Sequence, residues 1–67
     1  MPKFKLKAAR INAGLKQAEA AEKLGVSIST LKKWESTDPE KRAYPKQPQI
    51  EKLCSLYGIP YDYIDFD

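Results

Sequence analysis

The chain has 67 residues, of which 12 are basic and 9 acidic, and a formal net charge of +3. This length allows one domain, near the lower limit at which a hydrophobic core holds a fold without disulfides or metals. One cysteine and no histidine exclude an intramolecular disulfide and a zinc site built from Cys and His. No run approaches the ~18 apolar residues of a membrane span, and the N-terminus lacks the apolar region of a secretion signal. We therefore expect a small helical domain of the cytoplasm that needs no metal or cofactor.

Charge is distributed unevenly along the chain. Residues 1–46 carry eleven basic and five acidic side chains, whereas residues 47–67 carry one basic and four acidic side chains. A basic first part joined to an acidic end is typical of a protein that turns one face toward a polyanion such as nucleic acid. Solvated surface charge produces the same pattern, so charge alone leaves both interpretations open.

Helical periodicity begins at the sixth residue and predicts two helices. The first ends at Gly14, where a helix C-terminus favours a left-handed residue. Its predicted inner face consists of Leu6, Ala9, Arg10 and Ala13. The second helix is expected over about residues 16–24, "KQAEAAEKL", which is rich in strong helix formers. Its predicted inner face consists of Ala20, Ala21 and Leu24.

A third helix is predicted from the stretch "GVSISTLKKWE". Gly25 supplies a sharp turn, Ser27 is a good N-cap, and the helix ends near Glu35. Leu31 and Trp34 lie three residues apart, the spacing of a buried helical stripe. The remaining side chains of this helix point outward and are polar, with the exception of Ile28.

The rest of the chain is predicted to be a long surface loop followed by two short helices. Residues 36–47 have no periodicity, and prolines interrupt them. Pro48 can open the fourth helix and Gly58 ends it. Its predicted inner face consists of Ile50, Leu53, Cys54 and Tyr57. Residues 59–66 form a last short helix or turn. The expectation is an all-α single domain over residues 1–67, with five short helices and no strand, and with its C-terminal helices in residues 48–66.

Residues 17–36 satisfy the demands of two helices that cross steeply across a tight turn. Ala21 is small where the two helix backbones approach each other, and Gly25 can adopt the positive φ of the turn. This is the geometry of a helix-turn-helix unit formed by the second and third helices. In such a unit the second of the two helices is held out so that it can enter a major groove.

On these residues the chain resembles the lambda-repressor-like, Cro-type (Xre-type) helix-turn-helix family. The matching positions are Arg10, Gly14, Leu15, Gln17, Glu19, Ala21, Leu24, Gly25, Val26, Ser27, Leu31, Trp34 and Glu35. The later stretch "IEKLCSLYGIPYDYI" is similar to the fourth and fifth helices of that family. The resemblance covers nearly the whole chain.

The resemblance implies a role for individual residues. The expected contacts with base edges come from the third helix, at Ile28, Ser29, Lys32 and Lys33. The expected contacts with DNA phosphates come from Lys16, Gln17, Thr30, Lys41, Arg42 and Lys46. Arg10 and Glu35 match a buried ion pair. The chemistry of the reading residues agrees, because lysine donates to guanine O6 or N7 and an aliphatic side chain can meet a thymine methyl.

The sequence departs from the family pattern at several points. Lys16 stands where the family usually has Ser or Thr, so the usual cap of the second helix is missing. The loop after the third helix is longer than is usual in the family. Pro60 replaces the usual capping hydroxyl before the last helix. These departures concern the path of residues 36–47 and the end of the chain rather than the fold itself.

Three aromatic residues near the C-terminus exceed what a short last helix can bury. Some of Tyr61, Tyr63 and Phe66 are therefore expected to cover the core, and the rest to provide a contact with another subunit or a partner protein. The family resemblance implies a homodimer on DNA, with half-sites about one helical turn apart, ~34 Å. The acidic ending "DYIDFD" has no linker character, which favours a complete small protein.

Two functions follow from these observations. The first is a sequence-specific DNA-binding transcriptional regulator, of the repressor or Cro type, from a bacterium or phage, which places its third helix in the major groove of a palindromic operator. The alternative is an antirepressor of a phage genetic switch, which binds a partner repressor through protein–protein contacts. An enzyme is not expected, because the chain lacks histidine, a glycine-rich phosphate loop and a Ser/His/Asp set.

Overall fold

The computed structural model describes residues 3–66, and these contain four α-helices and one pair of short strands. In chain order the elements are β1 (Phe4–Lys5), α1 (Leu6–Asn12), α2 (Gln17–Leu24), α3 (Ile28–Glu35), α4 (Gln47–Tyr57) and β2 (Ile64–Asp65). A single 3-10 turn, Tyr61–Tyr63, precedes β2. None of the helices in this part of the chain has the length and apolar character needed to span a bilayer. Residues 1, 2 and 67 of the predicted domain lie outside the described residues.

The prediction of five helices and no strand is wrong at the two ends of the chain. The last predicted helix is the 3-10 turn, since Pro60 provides no capping side chain and the chain becomes extended at Ile64. There β2 pairs in parallel with β1, with Phe4 opposite Ile64. Strands of two residues show no periodicity, so sequence patterns do not reveal them.

The core lies where the four helices meet the strand pair. Its buried apolar residues are Leu6, Ala9, Ala20, Ala21, Leu24, Leu31, Trp34, Leu53, Tyr57 and Ile64. Leu31 and Leu53 are fully buried and come from α3 and α4, so the two halves of the chain share one core. Ala13, which was predicted for the inner face of the first helix, follows the end of α1 and is exposed.

The connection between α2 and α3 has the geometry that its sequence predicts. Gly25 ends α2 with a φ of 72°, and the N–H of Val26 donates to the carbonyl of Ala21 at 3.0 Å. Ala21 is 2% exposed, which agrees with its place between closely approaching helices. The turn is short because a left-handed glycine reverses the chain within one residue.

The long loop between α3 and α4 is ordered by Asp38. Its carboxylate accepts a hydrogen bond from the N–H of Glu40 at 3.0 Å, and its carbonyl accepts from the N–H groups of Lys41 and Arg42. The loop then returns to α3, where the N–H of Ala43 donates to the carbonyl of Lys33 at 3.1 Å. The loop therefore packs back along the C-terminal end of α3.

The fourth helix begins one residue earlier than predicted. It starts at Gln47, so Pro48 occupies its second position, where the backbone N–H also lacks a partner within the helix. The N–H of Lys46 donates to the side chain of Gln49 at 2.8 Å, and Gly58 ends the helix with a φ of 65°.

Candidate nucleic-acid interface

The start of α3 is held by its N-cap residue. The hydroxyl of Ser27 accepts a hydrogen bond from the N–H of Thr30 at 3.1 Å. The two hydroxyls of Ser27 and Thr30 are also 2.9 Å apart, so the Thr30 side chain, half-buried, already has a partner within the protein. This cap fixes the N-terminal turn of the helix that carries the predicted reading residues.

The two faces of α3 differ sharply in exposure. Leu31 is 0% exposed and Trp34 is 4% exposed, and both pack in the core. The four residues predicted to contact bases lie on the solvent side of the same helix: Ile28, Ser29, Lys32 and Lys33. Ile28 is 40% exposed and is the one apolar side chain among these four. The solvent face thus has one apolar and three polar side chains.

The start of α2 lies close to the end of α3. The N–H of Lys16 donates to Oε1 of Glu19 at 3.2 Å, which supplies part of the capping that a Ser or Thr would give. The Lys16 side chain is exposed. Gln17, predicted to contact a phosphate, donates through Nε2 to Oε1 of Glu35 at 3.1 Å. The sequence did not indicate this hydrogen bond, which joins α2 to the end of α3.

Arg10 and Glu35 form an ion pair between α1 and α3. Nε of Arg10 donates to Oε2 of Glu35 at 2.8 Å, and Nη2 lies 3.4 Å from Oε1. Nη1 of Arg10 donates to the carbonyl of Leu15 at 2.8 Å. The two side chains are only 9% and 4% exposed. Three helices are therefore linked through one carboxylate, because Gln17 also binds it.

A tyrosine hydroxyl is buried in the neighbourhood of this ion pair. Within residues 3–66 the Tyr57 hydroxyl is buried without a hydrogen-bond partner. Burial and, next to it, the negative charge of Glu35 raise the pKa of Tyr57 to about 12, and the positive charge of Arg10 opposes the shift. Elsewhere on α4, burial raises the pKa of the Cys54 thiol above its usual value. Both groups therefore stay protonated near neutral pH, and neither is a charged contact for DNA.

The three loop cations that were predicted to contact phosphates differ from one another. Lys41 and Lys46 are exposed. Arg42 is half-buried, and its guanidinium carbon lies 4.8 Å from the centre of the Tyr44 ring. Its Nε is buried and has no hydrogen-bond partner in the described part of the chain. The sequence assigned no role to Tyr44, which is 61% exposed and stacks on this arginine.

The C-terminal aromatic residues are only partly buried. Tyr61 is 53% exposed, and its ring lies 5.8 Å from that of Phe66 at an interplanar angle of 35°. Phe66 is partly buried and packs against the core, and Tyr63 is half-buried. The exposed surface of this cluster is therefore provided mainly by Tyr61.

A family model for Cro/C1-type, Xre-like helix-turn-helix proteins matches residues 6–64. The match runs from the first residue of α1 to the first residue of β2 and so includes every helix described above. No curated protein and no solved structure matches the chain significantly. The family match covers far more than half of the chain. The protein therefore belongs to the Cro/C1-type helix-turn-helix family of DNA-binding regulators.

Proposed function

We propose that the protein is a sequence-specific transcriptional regulator whose helix-turn-helix unit is α2, the Gly25 turn and α3, and that α3 enters the major groove of a palindromic operator. The observation that carries this proposal is the solvent face of α3, where Ile28, Ser29 and two lysines stand opposite a fully buried Leu31. A helix of eight residues is ~12 Å long, which is comparable to the width of the major groove.

The side chains of this face suit the edges of base pairs. Lys32 and Lys33 can donate to guanine or to phosphates, Ser29 can donate or accept, and the apolar Ile28 can contact a thymine methyl. Lys16, Lys41 and Lys46 are exposed and supply positive charge for the phosphates on either side. The contacts proposed for Gln17 and Thr30 involve their backbone N–H groups or a change of side-chain partner, because both side chains are hydrogen-bonded within the protein.

We propose further that the protein acts as a homodimer on DNA, in the bacterial cytoplasm. The exposed surface of Tyr61, with Phe66 beside it and Tyr63 half-buried nearby, supports a contact between two copies. A twofold dimer would place one α3 in each half-site, ~34 Å apart.

The experiment that tests the proposal is selection of binding sites from a random duplex library. The wild type is compared with the Lys32→Ala, Lys33→Ala double variant and with a control, Lys23→Ala, Lys52→Ala, which removes two exposed lysines elsewhere. We expect the wild type and the control to enrich the same palindrome and the Lys32/Lys33 variant to lose it. Affinity should fall by orders of magnitude between about 50 and 200 mM salt.

Two outcomes would contradict the proposal. If both double variants lose binding equally, the lysines of α3 contribute only net charge and not sequence reading. If the wild type enriches no sequence, the antirepressor function takes its place. An antirepressor should tolerate the loss of Lys32 and Lys33, or use them against an acidic protein, and should depend on the C-terminal aromatic cluster.

A further inference from the structure

A groove separates the long loop from the N-terminal end of the chain. It has a volume of about 730 Å³ and lies between β1, the start of α1, the end of α3 and residues 37–44. Its walls include Leu6, Trp34, Pro39, Arg42 and Tyr44. We call it the loop groove. Of the residues predicted to contact DNA only Arg42 lines it, and it lies at the opposite end of α3 from Ile28, about 10 Å along the helix.

The acidic groups in the loop groove have partners of their own. Glu35 is bound by Arg10 at 2.8 Å, and Asp65 is bound by Lys5 at 3.0 Å. Arg42 differs from these groups, because its buried Nε–H meets no acceptor in residues 3–66. A buried N–H without an acceptor is costly and disfavours other contacts for this side chain. The donors of the half-buried Arg42 that a molecule in the groove can reach are its Nη groups. Lys7 adds exposed positive charge at the edge of the groove.

The remainder of the loop groove is suited to an apolar group. The exposed apolar surface of its walls comes from Pro39 and the Tyr44 ring, and Leu6 and Trp34, 3% and 4% exposed, form its floor. Binding sites for small organic molecules have volumes of ~300–1,000 Å³, mostly apolar walls and a few placed polar groups. The loop groove has these properties, with the guanidinium of Arg42 as the placed polar group.

We propose that the loop groove binds a small organic acid, whose carboxylate pairs with the Nη groups of Arg42 and whose apolar part lies against Pro39 and Tyr44, above the edge of Trp34. Guanidinium groups bind carboxylates through paired N–H donors, and Tyr44 holds that of Arg42 from one side at 4.8 Å. A DNA phosphate would use the charge of Arg42 but not the apolar walls. The Asp38 turn and the Ala43–Lys33 hydrogen bond hold the outer wall in place without a ligand.

Trp34 makes the proposal directly measurable, because it is the protein's one tryptophan and lines the groove. The free protein is titrated with 3-phenylpropionate, with the neutral 3-phenylpropionamide and with inorganic phosphate, and the fluorescence and indole N–H resonance of Trp34 are followed. We expect saturable binding of 3-phenylpropionate and binding of the amide and of phosphate that is at least about tenfold weaker.

Two variants identify the residue responsible. Arg42→Gln should weaken binding of 3-phenylpropionate by at least about tenfold, whereas Lys52→Gln, an equal change of charge at an exposed position of α4 outside the proposed DNA contacts, should leave it unchanged. Circular dichroism confirms that both variants are folded. These titrations contain no DNA, so their result is independent of the operator experiment.

Each of three results would overturn the proposal. Equal binding of acid and amide would show that the carboxylate is not recognised. Equal binding of phosphate and 3-phenylpropionate would show that the apolar walls take no part. An absence of saturable binding up to about 10 mM would show that the groove holds no organic acid, and weaker DNA binding by Arg42→Gln than by Lys52→Gln would then assign Arg42 to a DNA phosphate.

Discussion

At the scale of single residues, Glu35 is the side chain on which most of the organisation near α3 depends. It accepts from Arg10 at 2.8 Å and from Gln17 at 3.1 Å, so one carboxylate joins α1, α2 and α3. The pair has little access to water, with the two side chains 9% and 4% exposed. Salt bridges on the surface contribute little, but removal of one partner from a buried pair leaves an uncompensated charge.

Glu35→Ala should therefore lower the free energy of unfolding by roughly 3–5 kcal/mol. The guanidinium of Arg10 would keep only the carbonyl of Leu15 as a partner. Urea denaturation measures the loss, with Glu22→Ala, an exposed carboxylate on α2, as the control that should change by less than about 0.5 kcal/mol. A loss below ~1 kcal/mol for Glu35→Ala would mean that the pair behaves as a surface pair in solution.

Tyr57→Phe is expected to leave the free energy of unfolding unchanged or to raise it by up to about 2 kcal/mol. The wild-type hydroxyl is buried without a partner in residues 3–66, so its removal relieves a desolvation cost. Thermal and urea unfolding report the change, and Tyr44→Phe, with the parent ring 61% exposed, is the control. A loss above ~1 kcal/mol would indicate that a bound water or another acceptor serves the Tyr57 hydroxyl.

The raised pKa of Tyr57 also predicts a dependence of stability on pH. The folded protein keeps this proton up to a pKa of about 12, whereas the unfolded chain releases it near 10.0. The folded state then binds more protons between these values, so the contribution is complete below pH 10 and is lost as pH rises toward 12.

The free energy of unfolding should therefore fall more steeply from pH 9 to pH 11 in the wild type than in Tyr57→Phe. Lysine deprotonation affects both proteins alike, and the difference between them isolates the tyrosine. Parallel slopes in the two proteins would contradict the assignment.

At the scale of elements, α3 is a short helix that packs one face in the core and exposes the other to solvent. Eight residues are too few for a helix to be stable alone in water, so α3 depends on its cap and on its buried face. Ser27 supplies the cap, and Leu31 with Trp34 supplies the buried face. The opposite face of α3 is exposed, so packing in the core does not restrict which side chains it has.

Ser27→Ala should lower the free energy of unfolding by about 1 kcal/mol, within a range of about 0.5–2, because the N–H of Thr30 loses its acceptor. Ser55→Ala, at an exposed position inside α4, is the matched control and should be neutral or slightly stabilising. Urea denaturation and hydrogen exchange of the Thr30 amide measure the effect. Equal stability of the two variants would show that the cap contributes nothing.

At the scale of the whole molecule, size limits how far one copy can reach along a DNA duplex. The described part of the chain measures 28 × 25 × 21 Å, and it has one α3. One copy cannot reach two successive major grooves that face the same side of the duplex, ~34 Å apart. Two copies at that separation would lie close to each other, which suits a small contact such as the one proposed around Tyr61.

Tyr61→Ser should therefore weaken binding to a duplex with two half-sites by about tenfold or more and leave binding to a single half-site unchanged. Ile11→Ser is the matched control, because Ile11 is 57% exposed and Tyr61 is 53% exposed. Both duplexes are compared in the same titration. An equal loss on both duplexes would mean that Tyr61 supports the fold or contacts DNA rather than a second copy.

The sequence by itself determined the features that depend on residues near one another in the chain. The periodicity of Leu31 and Trp34 indicated the buried face of α3, and Ser27 and Gly25 indicated its cap and the turn before it. These features are readable because helix periodicity, capping and positive φ are set within a few residues. The exposure of the four positions predicted to contact bases follows from the same periodicity.

Only the tertiary structure decided the features that join distant parts of the chain. The pairing of Phe4 with Ile64, the hydrogen bond from Gln17 to Glu35 and the stacking of Arg42 on Tyr44 leave no local pattern. The walls of the loop groove likewise come from both ends of the chain and from its longest loop. Such contacts depend on how the helices pack, because packing, and not spacing along the chain, brings these side chains within hydrogen-bonding or van der Waals distance.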